Sequence, residues 1–100
     1  MIDVTDQNTV VEKAELIKAI AHPIRLCMVK NLIENHGANV STIQGCLGAS
    51  QSSVSQHLAK LKSLKIVEAR REGKEMFYYV TSEEVCRIVE VLFDESHSNK

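Results

Sequence analysis

The sequence predicts a mostly helical (mostly α) domain that carries one small β-hairpin before its last helix. The first observation is a set of apolar stripes at helical spacing, which recur along most of the chain. The second is a pair of predicted helices that only Gly48-Ala49-Ser50 separates. The third is a change to β-branched and aromatic residues after Leu64. Together these observations predict five helices, with a two-stranded hairpin between the fourth and the fifth.

Length and composition limit the classes of protein that the chain can form. One hundred residues, of which 44% are hydrophobic and 25% charged, are typical of one soluble domain. We therefore expect residues 1–100 to form a single domain, with a core at about 9–95 and flexible ends. The apolar runs are too short for a membrane span, and the N-terminus lacks the pattern of a signal peptide. We expect a cytoplasmic protein with no membrane partner.

The first two predicted helices meet at a proline. Apolar spacing predicts the first helix from about Thr9 to Ala21. His22-Pro23 ends that helix, because proline suits the first turn of the next one, and we expect His22 to cap a helix end. The second helix extends to Asn35-His36-Gly37, where glycine favours a helix end.

The third and fourth helices predict a helix-turn-helix. Ser41 is placed to cap the third helix, Thr42–Leu47, which ends at Gly48. Ser50 is placed to cap the fourth helix. Two helices joined by so short a turn are typical of that motif.

The fourth helix has one apolar face and one polar face. Val54, Leu58 and Leu61 lie at i, i+4 and i+7 and form a stripe that must be buried. The other face carries short hydrogen-bonding side chains, which suit base edges and nearby phosphates. This face predicts a DNA recognition helix that binds through Gln51, Ser52, Ser53, Ser55, Gln56 and Lys60.

Two residues at the border of the polar face have alternative roles. His57 either packs and hydrogen-bonds within the protein or contacts DNA. Ser53 either contacts DNA or takes part in capping the start of the helix. Both alternatives stay open for each residue, because periodicity alone does not separate the flank of a helix from its exposed face.

The residues after Leu64 predict a wing. Ile66–Arg70 and Met76–Val80 have the composition of strands, and Arg71-Glu72-Gly73-Lys74 has that of a turn. A charged hairpin directly after a recognition helix makes the chain a winged helix-turn-helix. Residues 50–80 hold six Lys/Arg against three Glu, although the whole chain has a net charge of −1. We expect DNA backbone or minor-groove contacts from Arg70, Arg71 and Lys74.

The first and last helices predict a homodimer. The last helix begins near Ser82 with a broad apolar face, and one small domain can cover only part of this face and that of the first helix. Pairing across a two-fold axis would bury the remainder and would match a palindromic operator. In the alternative, both stripes complete the core of a monomer. The predicted interface residues are Val10, Ile17, Val85, Ile88, Val89, Leu92 and Phe93.

Three separated segments carry a family resemblance. They are Ala21-His22-Pro23-Ile24-Arg25-Leu26, then Ser50-Gln51-Ser52-Ser53-Val54-Ser55-Gln56-His57-Leu58, then Arg70-Arg71-Glu72-Gly73-Lys74 with Phe77-Tyr78-Tyr79. In order and spacing these segments resemble the ArsR/SmtB family of small repressors over about residues 10–93. The resemblance implies a homodimeric winged-helix repressor that leaves operator DNA when an inducer binds.

Two metal sites known in that family lack their usual ligands here. The thiolate site, a Cys-x-Cys run on the third helix, corresponds to Asn39 and Ser41. The ligand positions of the second site, on the last helix, correspond to Ser82, Glu84, Glu95 and Ser98. Carboxylates without imidazole make a poor zinc site, so no metal is assigned to the last helix, although His97 lies one residue from a ligand position.

The cysteines are the candidate sensors. The chain has three cysteines, Cys27, Cys46 and Cys86, and no two of them form a CxxC pair. A disulfide scaffold is not expected, because the number of cysteines is odd and the chain lacks an export signal. Family members that sense persulfide or oxidant pair a cysteine near the position of Cys27 with one late in the last helix, whereas Cys86 lies early in it. A dithiol switch needs Cα atoms within about 7 Å. Each thiol therefore has two interpretations, sensing or packing as a small apolar group.

These observations predict a repressor released from its operator by an inducer that acts on thiols, either a soft metal ion or a reactive sulfur or oxygen species. The alternative is a winged-helix regulator without a sensor, controlled by a protein partner or by expression level. The expected partners are double-stranded DNA and a second copy of the chain, and no cofactor is required. Catalysis is not expected, because no supported Ser-His-Asp order, phosphate loop or apolar carboxylate pair is present.

Overall fold

Five helices and three strands follow one another in the computed structural model, which describes residues 4–94 apart from the side chains of residues 4–6 and 46. Their order confirms the predicted winged helix-turn-helix and adds one short strand before the third helix. The elements are α1 (Val4–Ile20), α2 (Pro23–Glu34), β1 (Ala38–Asn39), α3 (Val40–Leu47), α4 (Gln51–Ser63), β2 (Val67–Glu72), β3 (Glu75–Val80) and α5 (Glu83–Leu92).

Three predicted boundaries differ from the structure by more than one residue. Helix α1 begins at Val4 rather than near Thr9. Helix α3 is capped by Asn39, not by Ser41, because the Asn39 side chain accepts a hydrogen bond of 2.8 Å from the Thr42 N–H. Strand β2 extends to Glu72, so the hairpin turn shortens to two residues, of which Gly73 has a φ of +69°.

Strand β1 is the element that periodicity did not predict. It pairs antiparallel with β3, with Ala38 opposite Tyr78 and Asn39 opposite Phe77, and the sheet order is β1-β3-β2. Gly37 precedes it with a φ of +107°, and a Cβ atom there would overlap the Tyr79 ring. Glycine is therefore needed at this position both for its backbone conformation and for the close approach of the ring.

The core holds α4 firmly in place. Its predicted apolar stripe is confirmed, because Val54, Leu58 and Leu61 are at most 2% exposed. The stripe packs into a single cluster with side chains from the other helices and the sheet, and no polar side chain among the described residues is buried. The rest of this cluster is formed by Ala19, Ile20, Met28, Val29, Leu32, Ala38, Ile43, Ile66, Val67, Val85 and Val89.

Candidate nucleic-acid interface

The turn between α3 and α4 is closed by local hydrogen bonds. Gly48 ends α3 in the left-handed conformation, with a φ of +65°, and its N–H donates to the Gln44 carbonyl at 2.9 Å. Ser50 caps α4 as predicted, because its Oγ accepts from the Ser53 N–H at 3.2 Å. These two caps fix the direction in which α4 leaves α3, and therefore the direction of its polar face.

The polar face of α4 is open to a partner. Gln51, Ser55 and Gln56 are exposed and make no side-chain hydrogen bond with another residue that the structure describes. Ser52 is also exposed, and its Oγ lies 3.5 Å from the Ser50 Oγ. The face therefore presents amide and hydroxyl groups whose donors and acceptors are free for base edges. Ser53, by contrast, is half-buried at the flank of the helix.

His57 faces α2 instead of the open face. Its Nδ1 accepts a hydrogen bond of 3.2 Å from Arg25 Nε, and its ring centroid lies 4.9 Å from that of His22. Burial lowers the pKa of His57, and the nearby His22 and Arg25 lower it further. A neutral ring whose Nδ1 accepts from Arg25 fits the packing and hydrogen-bonding interpretation of this residue.

The segment that joins α1 to α2 supports this contact. His22 caps α2 as expected, because its Nδ1 accepts from the Ile24 N–H at 3.2 Å. Arg25 Nη1 also donates to the Ala19 carbonyl at 3.1 Å, so the guanidinium is held from two directions. The partners Arg25 and His57 are 32 positions apart in the chain, and no pattern in the sequence signals their contact. The segment that joins α1 to α2, residues 19–25, is called the elbow below, and it borders one flank of α4.

The wing cations occupy different surroundings. Because side chains alternate along a strand, Arg70 lies on the same face as Tyr79, and its guanidinium carbon is 4.7 Å from the Tyr79 ring centroid. The Tyr79 hydroxyl donates to Glu72, and this hydrogen bond raises the pKa of Tyr79. Arg71 points to the other face of β2, and Lys74 lies in the turn. Arg71 and Lys74 are therefore the less restrained cations of the wing.

A second carboxylate at the wing tip is also engaged. Glu75, next to the turn, accepts a hydrogen bond from Asn39 Nδ2. Glu72 and Glu75 are thus both bonded to neutral donors on the same side of the sheet. Neither carboxylate is ion-paired with Arg71 or Lys74 among the residues that the structure describes.

The sensor candidates differ in exposure. Cys27 is exposed on α2, and its Sγ accepts a hydrogen bond of 3.6 Å from Asn31 Nδ2. Cys86 is half-buried on α5, and burial raises its thiol pKa, with Glu90 and Glu83 adding to the effect. Both thiols are free. The side chain of Cys46 lies outside the described residues, as do Glu95, His97 and Ser98.

The described residues hold no group of three or more His, Cys, Asp or Glu that is arranged to bind a metal ion. Ser82, at one of the ligand positions implied by the family, caps α5 through a hydrogen bond of 3.2 Å from the Val85 N–H. Glu84, at another, pairs with Lys13 at 2.6 Å. These two side chains are thus used in structural contacts within the chain.

The predicted dimer residues fall into three groups by exposure. Val10, Ile17, Leu92 and Phe93 are 46%, 53%, 58% and 42% exposed, so they offer apolar surface to a partner. Val85 and Val89, at 0% and 4%, are buried in the core of the subunit and leave almost no surface for a partner. Ile88 is half-buried. Two further exposed side chains, Val11 and Val91, were not predicted for the interface and extend the apolar surface.

Within residues 4–94, no helix combines the length and the hydrophobicity that a membrane crossing requires.

Comparison with known proteins identifies relatives over most of the chain. The family described as "Bacterial regulatory protein, arsR family" matches residues 22–69. The transcriptional repressor PagR of Bacillus anthracis is 38% identical over 81 residues, which cover 81% of this chain and 81% of PagR. The biofilm growth-associated repressor of Xylella fastidiosa is 35% identical over 82% of this chain and 71% of its own length.

Solved structures agree with the sequence relatives. The crystal structure of PagR has a TM-score of 0.79 at 36% identity and covers 86% of this chain and 98% of its own. Reduced HlyU from Vibrio cholerae has a TM-score of 0.83 at 32% identity, with 91% and 95% covered. These relatives are regulators of transcription and not enzymes, in agreement with the sequence. The chain therefore belongs to the ArsR family of bacterial regulatory proteins and is a transcriptional repressor of the winged helix-turn-helix type.

Proposed function

We propose that the chain represses transcription as a homodimer on a palindromic operator and is released when an inducer acts on cysteine thiols. The observation that carries the DNA-binding part is the exposed face of α4, where Gln51, Ser55 and Gln56 have free hydrogen-bonding groups. Glutamine can pair bidentately with adenine, and serine can donate or accept at several base edges. Lys60 on the same helix and the cations of the wing would bind phosphate.

The dimer is supported by apolar surface that the subunit does not cover. Ile17 on α1 and Leu92 on α5 are both more than half exposed, and Val91 is 77% exposed. A two-fold axis brings two copies of such a surface together, and full burial of each large apolar side chain is worth about 1.5–3 kcal/mol. A dimer built in this way would present two α4 helices to half-sites about one helical turn apart.

Cys27 is the thiol better placed for an inducer. The thiolate is the form that attacks electrophilic sulfur or oxygen and binds soft metal ions. Cys86 has a raised pKa and a half-buried side chain, both of which lower its reactivity, whereas Cys27 is exposed. The solved relative described as reduced HlyU supports testing redox chemistry here. We therefore place the first reaction at Cys27.

The test is a DNA-binding titration with purified dimer. Operator-like duplexes would be selected from random DNA, and their affinity measured by fluorescence anisotropy before and after treatment with polysulfide, hydrogen peroxide or Cd²⁺. We expect at least one of the three to weaken wild-type binding, and Cys27→Ser to lose most of that response. Cys86→Ser serves as the matched control, because it removes a thiol of lower reactivity.

The competing function is regulation without a sensor, through a protein partner or through expression level. It would be favoured if all three reagents left wild-type affinity unchanged. A Cys27→Ser variant that responded as the wild type does would show that the sensing thiol is not on α2. Selection that enriched no duplex would contradict operator recognition itself.

A further inference from the structure

The two flanks of α4 meet different parts of the protein. On one flank lies the sheet, because β2 packs against α4 and leads into the wing. On the other flank lies the elbow between α1 and α2, held there by the hydrogen bond from Arg25 to His57. A helix in the major groove has a sugar-phosphate backbone on each side, since the groove is only about 12 Å wide. In the DNA complex proposed above, each flank of α4 would therefore face one backbone.

Cations line the flank opposite to the wing. Lys18 in the last turn of α1, Arg25 near the start of α2 and Lys60 on α4 border a single cleft. Its other lining residues are Glu15, Ala19, Ala21, His22 and Leu64, so Glu15 is the only acid among them. Three cations against one carboxylate on a concave surface beside a recognition helix match the charge of a DNA backbone.

The cations of this cleft have hydrogen-bonding capacity to spare. Neither Lys18 nor Lys60 is ion-paired within residues 4–94. Arg25 uses Nε for His57 and Nη1 for the Ala19 carbonyl, and its Nη2 donates to no described residue. The two contacts orient the guanidinium while they leave part of its donor edge open. A guanidinium held in this way loses little side-chain entropy when it binds a phosphate.

We propose that Lys18, Arg25 and Lys60 form a second phosphate-contact surface, which binds the DNA strand on the side of α4 away from the wing. The proposal rests on DNA binding as proposed above and adds a surface on α1 and α2 to it. In this arrangement the recognition helix is bordered by two cationic surfaces, the wing and the elbow. His57 positions Arg25 and does not itself reach the DNA.

The test uses Lys18, because it is exposed and lies outside the surfaces already assigned to DNA. The comparison is Lys18→Gln against Lys13→Gln, a change of equal charge on the same helix at a residue that faces Glu84 instead of the cleft. Binding to a random 30-base-pair duplex would be measured from 50 to 300 mM NaCl. Random DNA suffices, because phosphate contacts are independent of sequence.

We expect Lys18→Gln to reduce the slope of log affinity against log salt by about 0.9, the value of one phosphate contact, with roughly fivefold weaker binding at 150 mM salt. Lys13→Gln should retain the wild-type slope. The reciprocal variant, Glu15→Gln, should tighten binding because it removes the carboxylate of the cleft, whereas Glu12→Gln, outside the cleft, should have a smaller effect.

Equal slopes for Lys18→Gln and Lys13→Gln would overturn the proposal while leaving operator recognition intact. A Lys18→Gln variant that only unfolds at a lower temperature, with an unchanged slope, would show that Lys18 merely stabilises the end of α1. A wild-type protein that binds no duplex would overturn the proposed function as well.

Discussion

Helices α4 and α5 both bury one apolar face, but their exposed faces have opposite polarity. Each buries one apolar face in the same core, through Leu58 and Leu61 on α4 and through Val85 and Val89 on α5. The rest of α4 exposes glutamine and serine, whereas the end of α5 leaves apolar side chains in water, including Leu92 at 58% exposed. Water satisfies the first surface and is unfavourable for the second. The remaining face, and not the buried one, decides what kind of partner each helix can take.

This difference suits the two helices to different kinds of partner. A polar face with free donors and acceptors suits a hydrated partner such as the major groove, where each base edge can replace a bound water. An apolar face gains by removing its area from water and suits another protein surface. The four predictions that follow test this division, from the largest expected effect to the smallest.

Replacement of Leu92 by Asp tests the apolar surface of α5. We expect monomers, because two copies of the side chain would face the proposed dimer interface and burial of each is worth about 1.5–3 kcal/mol. The dimer dissociation constant, measured by sedimentation, should rise by about 100-fold or more. Leu92→Met is the matched control and should stay dimeric. If Leu92→Asp sedimented as the wild type does, this end of α5 would not belong to the interface.

Replacement of Gln56 by Ala tests the polar face of α4. Loss of a base contact should weaken operator binding by about 1–3 kcal/mol and leave binding to random duplex nearly unchanged. The two affinities are measured by anisotropy on one preparation, so that random DNA is the internal control. Equal losses on both duplexes would mean that Gln56 contributes to binding without reading bases.

Replacement of Lys74 by Ala tests the wing beside α4. Because Lys74 lies in the turn and its acidic neighbours Glu72 and Glu75 are bonded elsewhere, its ammonium is available to phosphate. We expect the slope of log affinity against log salt to fall by about 0.9 on any sequence. An unchanged slope would exclude the wing tip from the backbone contacts.

The smallest expected effect concerns pH and His57, on the flank of α4 that contacts α2. The pKa of His57 is lowered from 6.5 by burial and by its cationic neighbours, so the unfolded chain binds this proton more readily than the folded one. Stability should therefore decrease as the pH falls below about 6.5. His57→Gln keeps an acceptor for Arg25 and should flatten the profile measured by urea unfolding between pH 7.5 and 5.5.

The control for the pH prediction is His36→Asn. His36 is exposed and has a φ of +55°, a conformation that asparagine tolerates. This variant should keep the wild-type dependence on pH. Profiles of the same shape for His57→Gln and the wild type would show that His57 does not carry the effect.

Local patterns in the sequence determined the order of the five helices and the hairpin, and the division of α4 into a buried and an exposed face. The stripe of Val54, Leu58 and Leu61 and the Ser50 cap depend on residues within one or two helical turns, so spacing alone was enough to predict them. The same reasoning predicted the hairpin, because its strand composition and its glycine lie within a short segment.

Only the tertiary structure decided which residues meet across the chain. It buries Val85 and Val89 in the subunit core and leaves Leu92 and Phe93 exposed, although all four belong to one apolar pattern. It also paired Ala38 with Tyr78 and brought Arg25 to His57. Periodicity states how a helix divides into faces, but it does not state which neighbour covers a face. That choice depends on contacts between residues far apart in sequence, which form only when the whole core packs.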